Sequence, residues 1–291
     1  MIKKIYNRGR YELSQIADIF RKKNVYETDP SQMWGRVFDL TLKQRVELDG
    51  FNLFALPNDY IGASIIASKS YEFHVTDVIR EELHEGEVFL DLGANLGYFS
   101  MLACSIVKAK GKVIAFEPNP QNLQLIYESQ LDNKFTNLKV YPFAVSDQST
   151  ILRFTTVGSN GGVITEHSKD QEHYLLVQSV VIDEILANEQ NIDLIKMDIE
   201  AHELIALRGM EKLLMRLRPK IITEFHPWAM RLNNLEPPEE FLDKIQSLGY
   251  RLSVIKHEGG IEKMNSTAEV IDFWEKLNSE TIHLDLYATP E

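Results

Sequence analysis

The stretch from Val88 to Ser100, VFLDLGANLGYFS, constrains the chain more than any other. A short apolar run ends in Asp91, Gly93 and Gly97 bracket a tight segment, and apolar positions then resume at helical spacing. That pattern predicts a strand, a turn and a helix start. In an open parallel sheet such a turn lies at the carboxyl end of a strand, where ligands bind in the crevice between strands. Glycine at 93 and 97 is expected to let the backbone approach a ligand, because a Cβ there would fill the space or forbid the needed φ. The spacing is G-x-x-x-G and not the G-x-G-x-x-G of dinucleotide sites. With Asp91 at its foot, the turn suits a cation or a hydroxyl better than a phosphate.

Strands and helices alternate downstream. The pattern predicts a helix to about Lys108, a strand at Lys112 to Phe116, a helix at Pro120 to Leu131 and a strand at Leu138 to Val145. Alternation at these lengths implies right-handed βαβ units on a parallel sheet. A strand at Ile151 to Thr155 leads into a polar, glycine-bearing insertion, Val157 to Tyr174, with two readings: a lid, or a surface loop with no role. Strands at Asp193 to Ile199 and Lys220 to Phe225 flank a helix from His202 to about Met215. A helix opened by Pro237 and Pro238 and strands at Arg251 to Lys256 and Thr281 to Ala288 follow. The alternating Ile282, Leu284 and Leu286 suit an antiparallel edge. Upstream, residues 10–23 predict an amphipathic helix, Gln44 to Leu56 a hairpin turning at Asp49-Gly50, and Tyr71 to Leu83 a helix over the edge of the crevice. The expected organisation is one domain over residues 70–291, with an extension over residues 1–69 that packs on the core or in an oligomer interface.

The formal charge of −12 argues against a nucleic-acid partner, since affinity for phosphate backbones rests on Lys and Arg. The single cysteine, Cys104, falls on an apolar helix face and reads as core filler. No run approaches the length of a membrane span, and MIKKIYNRGRYEL lacks the apolar centre of a signal peptide. The expected setting is cytoplasmic, away from membranes.

DLGANLGYFS resembles the first motif of class I S-adenosylmethionine-dependent methyltransferases. AFEPNP from Ala115, IDLIKMDIEAHELIALRGM from Ile192, ITEFHP from Ile222 and SYE from Ser70 narrow the resemblance to the FkbM family. One departure is Ala201, where that family usually has glycine. The resemblance implies a Rossmann-like fold: a mostly parallel seven-stranded sheet with an antiparallel last strand and helices on both faces. It also implies S-adenosylmethionine as cofactor and O-methylation of a sugar, glycan or secondary metabolite. The cofactor-binding set it suggests is Tyr71, Glu72, Asp91, Gly93, Ala94, Asn95, Gly97, Tyr98, Glu117, Pro118, Ser146, Asp147 and Asp198. Within it, Glu117 at the end of a strand is placed to accept ribose hydroxyls. Asp147, with Ser146 beside it, either accepts from the adenine amino group or forms an Asx turn.

Methyl transfer requires the acceptor to be aligned and its proton removed. Lys196, Asp198 and Glu200 are spaced by two and share a face if their strand stays extended, as do Glu224 and His226 on the next strand. These five are the candidate catalytic residues. Three readings stand: a general-base site with His226 as the acid-base group, a divalent cation such as Mg²⁺ held by Asp198, Glu200, Glu224 and His226, or a structural ion pair centred on Lys196. Two other functions remain beside methyl transfer: a nicotinamide-dependent oxidoreductase on a similar sheet, and a cofactor-binding module without turnover.

Overall fold

The computed structural model describes residues 39–157, 159–164, 174–232, 237–277 and 282–291. The helix expected at residues 10–23 lies outside them. The chain first forms a hairpin of β1 (Gln44–Glu47) and β2 (Asn52–Ala55), with Gly50 at φ +92° in the Asp49-Gly50 turn. A helix at Tyr60–Ser68 and another at Phe73–Glu82 lead to the opening motif.

The central sheet contains β3 (Val88–Leu92), β4 (Lys112–Phe116), β5 (Leu138–Tyr141), β10 (Leu194–Met197), β11 (Lys220–Phe225), β12 (Tyr250–Ile255), β13 (Ile261–Lys263) and β14 (Leu284–Pro290). Their order is β13-β12-β14-β11-β10-β3-β4-β5. The β5-β4-β3-β10-β11 run is parallel, while β14 is antiparallel to both neighbours, β11 and β12. The last strand is antiparallel and slotted into the sheet, as the resemblance implies, and its buried residues correct the edge position that its alternation suggests. The sheet has eight strands and not seven, because the short, exposed β13 pairs with β12 across Gly259-Gly260.

A second sheet, ordered β6-β9-β7-β8, contains β6 (Ala144–Val145), β7 (Ile151–Val157), β8 (Asn160–Val163) and β9 (Leu175–Val180). The single strand expected over Leu138–Val145 therefore breaks after Tyr141. Pro142, with no N–H to donate, stands at the break, and β6 pairs with β9. The described part of the insertion holds β8 as a hairpin on β7. The helix expected from His202 also breaks in two, Glu203–Arg208 and Glu211–Leu217. At Gly209, between them, a Cβ would run into the Ser146 carbonyl oxygen.

Period-two alternation assigns the sheet's side chains to two cores. Leu90, Leu92, Ile114, Phe116, Ile195 and Met197 face one, and Phe89, Val113, Ala115, Leu194, Ile222 and Tyr287 face the other. The second core also contains Phe51, Leu53, Ile61 and Ile65 from the upstream hairpin and helix, Ile79 from the helix before β3, and the buried Cys104. Asp91 and Lys196 break into this face as cross-strand partners, and Glu224 and Asp285 are partners further along it. The polar positions of these buried strands form a stripe across the carboxyl ends of the parallel strands and the amino end of the antiparallel β14, and that stripe borders the site.

Candidate active site

A cavity of about 320 Å³ opens over the carboxyl ends of β3, β4, β10 and β11. Tyr71, Glu72, Gly93, Ala94, Asn95, Tyr98, Glu117, Pro118, Lys196, Asp198, Glu200, Glu224 and His226 line it. The other four expected site residues, Asp91, Gly97, Ser146 and Asp147, are not among its lining residues. Asp91 is fully buried beneath the turn and accepts from Ser100 Oγ at 2.5 Å. Burial pushes its carboxyl up to about 6, against the pull of Lys196 and Ser100. Asp147 is exposed, and Ser146 Oγ lies 3.2 Å from His202 Nε2.

Both motif glycines take the positive φ expected of them, but the space each keeps clear is filled by the protein itself. A Cβ on Gly93 (φ +84°) would run into the Asp198 carbonyl oxygen, and one on Gly97 (φ +93°) would press on the Ile126 side chain at 2.9 Å. They let the turn sit against the exit of β10 and against the helix Pro120–Asn133. Gly93 still borders the cavity, but the space it clears belongs to Asp198.

Glu117 is 4% exposed, and both its oxygens accept backbone amides: Asn95 N–H at 2.7 Å and Asn119 N–H at 2.8 Å. Burial pushes its carboxyl up to about 8 despite these bonds. Asn95, left-handed at φ 51°, turns its side chain to β8, its Nδ2 donating to Ser159 O at 3.3 Å and Asn160 Oδ1 at 3.2 Å. Asn122 Nδ2 donates to the same Ser159 carbonyl at 2.8 Å. From the other side Asp59, which caps the helix Tyr60–Ser68 through Gly62 N–H, accepts Ser159 N–H and Oγ–H, each at 2.8 Å. One buried serine thus straps the β7–β8 hairpin beside the cavity.

Lys196 Nζ donates to Asp198 Oδ2 at 2.7 Å and lies 4.7 Å from the centre of the Phe99 ring. Burial alone would depress this ammonium, but Asp198, Glu72 and Asp91 hold it above the ordinary lysine value. At Asp198 burial is the largest single influence, but Lys196, the hydrogen bond with Glu224 and His283 together keep that carboxyl below its usual range. Glu224 shares a hydrogen bond with Asp198; burial and its acidic neighbours hold it well above a normal carboxyl, so the proton of the pair resides on Glu224. The extended geometry expected to align Glu200 ends at Met197, and Glu200 and Ala201 are both left-handed, at φ 57° and 67°. Glu200 is consequently exposed at the cavity rim. His226 is held below the usual imidazole value by burial and by His283. Its Nδ1 accepts the Ala229 amide at 3.4 Å, so its neutral ring presents an Nε2–H donor and not a base.

The cavity's charge is its plainest chemical property. Five carboxyl groups, of Glu72, Glu117, Asp198, Glu200 and Glu224, face one ammonium, Lys196. Glu72 Oε2 is buried without a hydrogen-bond partner. Such a donor set fits a ligand carrying positive charge, an amine and hydroxyls. Among the described residues, the set of His, Cys, Asp and Glu donors that converges closely enough to share an ion is His74, His257 and Asp285, not the four residues suggested by the strand spacing. His74, His257, His283, Asp59 and Ser159 were not singled out from the sequence. Asp59 before an apolar helical run was legible as a helix cap; the histidines, scattered over the chain, carried no local signal.

A run of parallel strands with the antiparallel β14 inserted beside β11, and an acid-lined cavity at the switch point, is the architecture of the class I methyltransferase fold. The chain belongs to the FkbM methyltransferase family: the model of the methyltransferase FkbM domain matches residues 91–252. It is 30% identical over 157 residues to the hexuronic acid methyltransferase AglP of Haloferax volcanii, covering 52% of this chain and 62% of the relative, so the match spans about three fifths of that protein. Crystal structures that overlay on it include methyltransferase FkbM from Methylobacillus flagellatus (TM-score 0.43, 16% identity, 79% of this chain and 53% of that one). Precorrin-6y C5,15-methyltransferase from Geobacter metallireducens overlays with a TM-score of 0.42 at 15% identity, over 75% and 88%. The family match favours the methyltransferase expectation over the oxidoreductase one. Among the described residues no helix is long and apolar enough to cross a membrane.

Proposed function

We propose that this chain transfers the methyl group of S-adenosylmethionine to a hydroxyl of a sugar, glycan or secondary metabolite. The observation that carries the reading is the cavity with five carboxyl groups and one ammonium at the carboxyl ends of β3, β4, β10 and β11. When bound, the cofactor supplies an electrophilic methyl on a sulfonium. Glu117 receives the ribose through lone pairs its two backbone bonds leave free, and Glu72 Oε2 accepts from the ammonium of the amino-acid end. Asp91, Ser146 and Asp147 act from outside the cavity, Asp91 by supporting the turn and the field around Lys196.

The acceptor's hydroxyl faces Asp198, Glu224 and His226. His226 Nε2–H orients the acceptor oxygen, and the Asp198–Glu224 pair, already sharing one proton, takes up the hydroxyl proton as the oxygen attacks. Lys196 keeps Asp198 ionised for that task. The AglP relative favours an acidic sugar among the acceptors, and the overall charge favours a small molecule or glycan over nucleic acid. The test is calorimetry with S-adenosylmethionine, followed by transfer of labelled methyl to an acceptor panel that includes hexuronic acids. Binding without transfer to any acceptor would leave a cofactor-binding module; no binding would remove the proposal.

A further inference from the structure

We infer that His74, His257 and Asp285 form a binding site for one borderline divalent cation of the Zn²⁺ type, beside the acceptor end of the cavity. The three residues come from separate segments: the helix Phe73–Glu82, the turn between β12 and β13, and β14. One donor atom from each lies within 4.8 Å of the others. His74 Nε2 and Asp285 Oδ2, 211 residues apart in sequence, are already 2.7 Å from each other.

Ligand atoms about 2.0–2.1 Å from a tetrahedral Zn²⁺ stand about 3.4 Å apart, so His74 Nε2 and Asp285 Oδ2 would part by roughly 0.7 Å and the His257 donor would close by up to roughly 1.4 Å. The larger shift falls to His257, whose side chain is exposed on a turn, and the smaller to His74 and Asp285, which are 5% and 4% exposed. A fourth donor is at hand: His283 Nε2 is 3.9 Å from Asp285 Oδ2.

A plain His–Asp pair leaves one thing unexplained: three imidazoles crowd one carboxylate, with ring centroids 4.5 Å apart for His74 and His257 and 5.9 Å for His257 and His283. Asp285 is further paired across the strands with Glu224, which puts a second carboxyl group beside the cluster on the same face. Imidazole-rich donors select Zn²⁺, Co²⁺, Ni²⁺ or Cu²⁺ over Mg²⁺ and Ca²⁺. The inference is independent of the methyl-acceptor assignment, although His283, which also lines the cavity and lies 3.7 Å from Glu224, connects the two.

The experiment uses the full chain without an affinity tag, stripped with chelator and titrated with ZnCl₂ by calorimetry, with Co²⁺ absorption as an optical readout. The expected result is one Zn²⁺ per chain, a tetrahedral Co²⁺ spectrum, and weakening by about 100-fold or more in His257→Ala, above the 10–100-fold seen for partners that only orient a ligand. His257 is exposed, so that variant keeps its fold. His84→Ala, at an exposed histidine outside the cluster, is expected to bind like the parent. Equal affinity in His257→Ala and parent, no saturable Zn²⁺ binding, or preference for Mg²⁺ would each overturn the inference.

Discussion

Replacing Lys196 by Met removes the one ammonium in the acidic cavity while keeping nearly the same length of side chain. Its Nζ is 2.7 Å from Asp198 Oδ2, and the lysine side chain is 5% exposed. Taking one partner from a buried ion pair costs about 3–5 kcal/mol, because the other charge stays desolvated. The cost has a definite pH signature. Without Lys196, the Asp198 carboxyl rises above its unfolded value and Asp91, already above it, rises further, so the folded state prefers both protonated. The deficit is then smallest below about pH 4, where the unfolded carboxyls are protonated too. It grows as pH climbs, each carboxyl adding about 1.36 kcal/mol per pH interval of one between its unfolded and folded values. Urea unfolding at pH 5 and pH 8 would measure it, with a deficit of about 3–5 kcal/mol expected at pH 8 and clearly less at pH 5. Adding Asp198→Asn to Lys196→Met should restore part of the loss, a coupling that a double-mutant cycle reads directly. A deficit below about 1 kcal/mol at pH 8, the scale of an exposed pair, or one equal at both pH values, would refute the reasoning.

Other perturbations test separate parts of the site. Gly93→Ala should cost about 3 kcal/mol or more, since the new methyl meets the Asp198 carbonyl and φ is +84°, and a melting temperature close to the parent's would contradict it. Glu117→Ala should weaken S-adenosylmethionine by about 1.5–3 kcal/mol in calorimetry, with folding measured in parallel. Asp59→Ala should cost about 1–3 kcal/mol by orphaning Ser159 and uncapping a helix, and should speed proteolytic cutting within residues 157–174. Glu203 is buried, and burial pushes its carboxyl up to about 8 from 4.5. Its ionisation removes stability as pH rises across that window, so Glu203→Gln should flatten the fall in denaturation midpoint between pH 5 and 9.

The βαβ core was readable because its strands are buried on both faces and announce themselves as apolar runs such as KVIAF and KIITEF. Lys196, Asp198, Glu224 and His226 were readable for the complementary reason: charges inside such runs demand partners. What escaped was non-local. β9 looks like loop until β7 is there to pair with it, and β13 is three exposed residues. Ser146 and Asp147 follow a strand end as expected of adenine contacts, but Asp147 points to solvent. The glycine turn and its need for positive φ were legible, but only the folded chain shows that the Asp198 carbonyl occupies the space a Cβ would take. The histidines around Asp285 come from residues 74, 257 and 283, a proximity that no local pattern encodes.

The Asp59–Ser159 strap bears on how portable the catalytic unit is. Asp59 precedes every motif by which the family is recognised, yet its carboxylate joins the upstream helix to the hairpin beside the cavity. Tyr60 and Ile61, next along the chain, are part of the cavity wall. A chimera built by transplanting residues 91–252 onto another scaffold would carry the motif residues but lack this brace, leaving the Ser159 amide and hydroxyl without the acceptor that holds them. Modular exchange within such enzymes would therefore have to cut upstream of the β1–β2 hairpin to move the site as one piece.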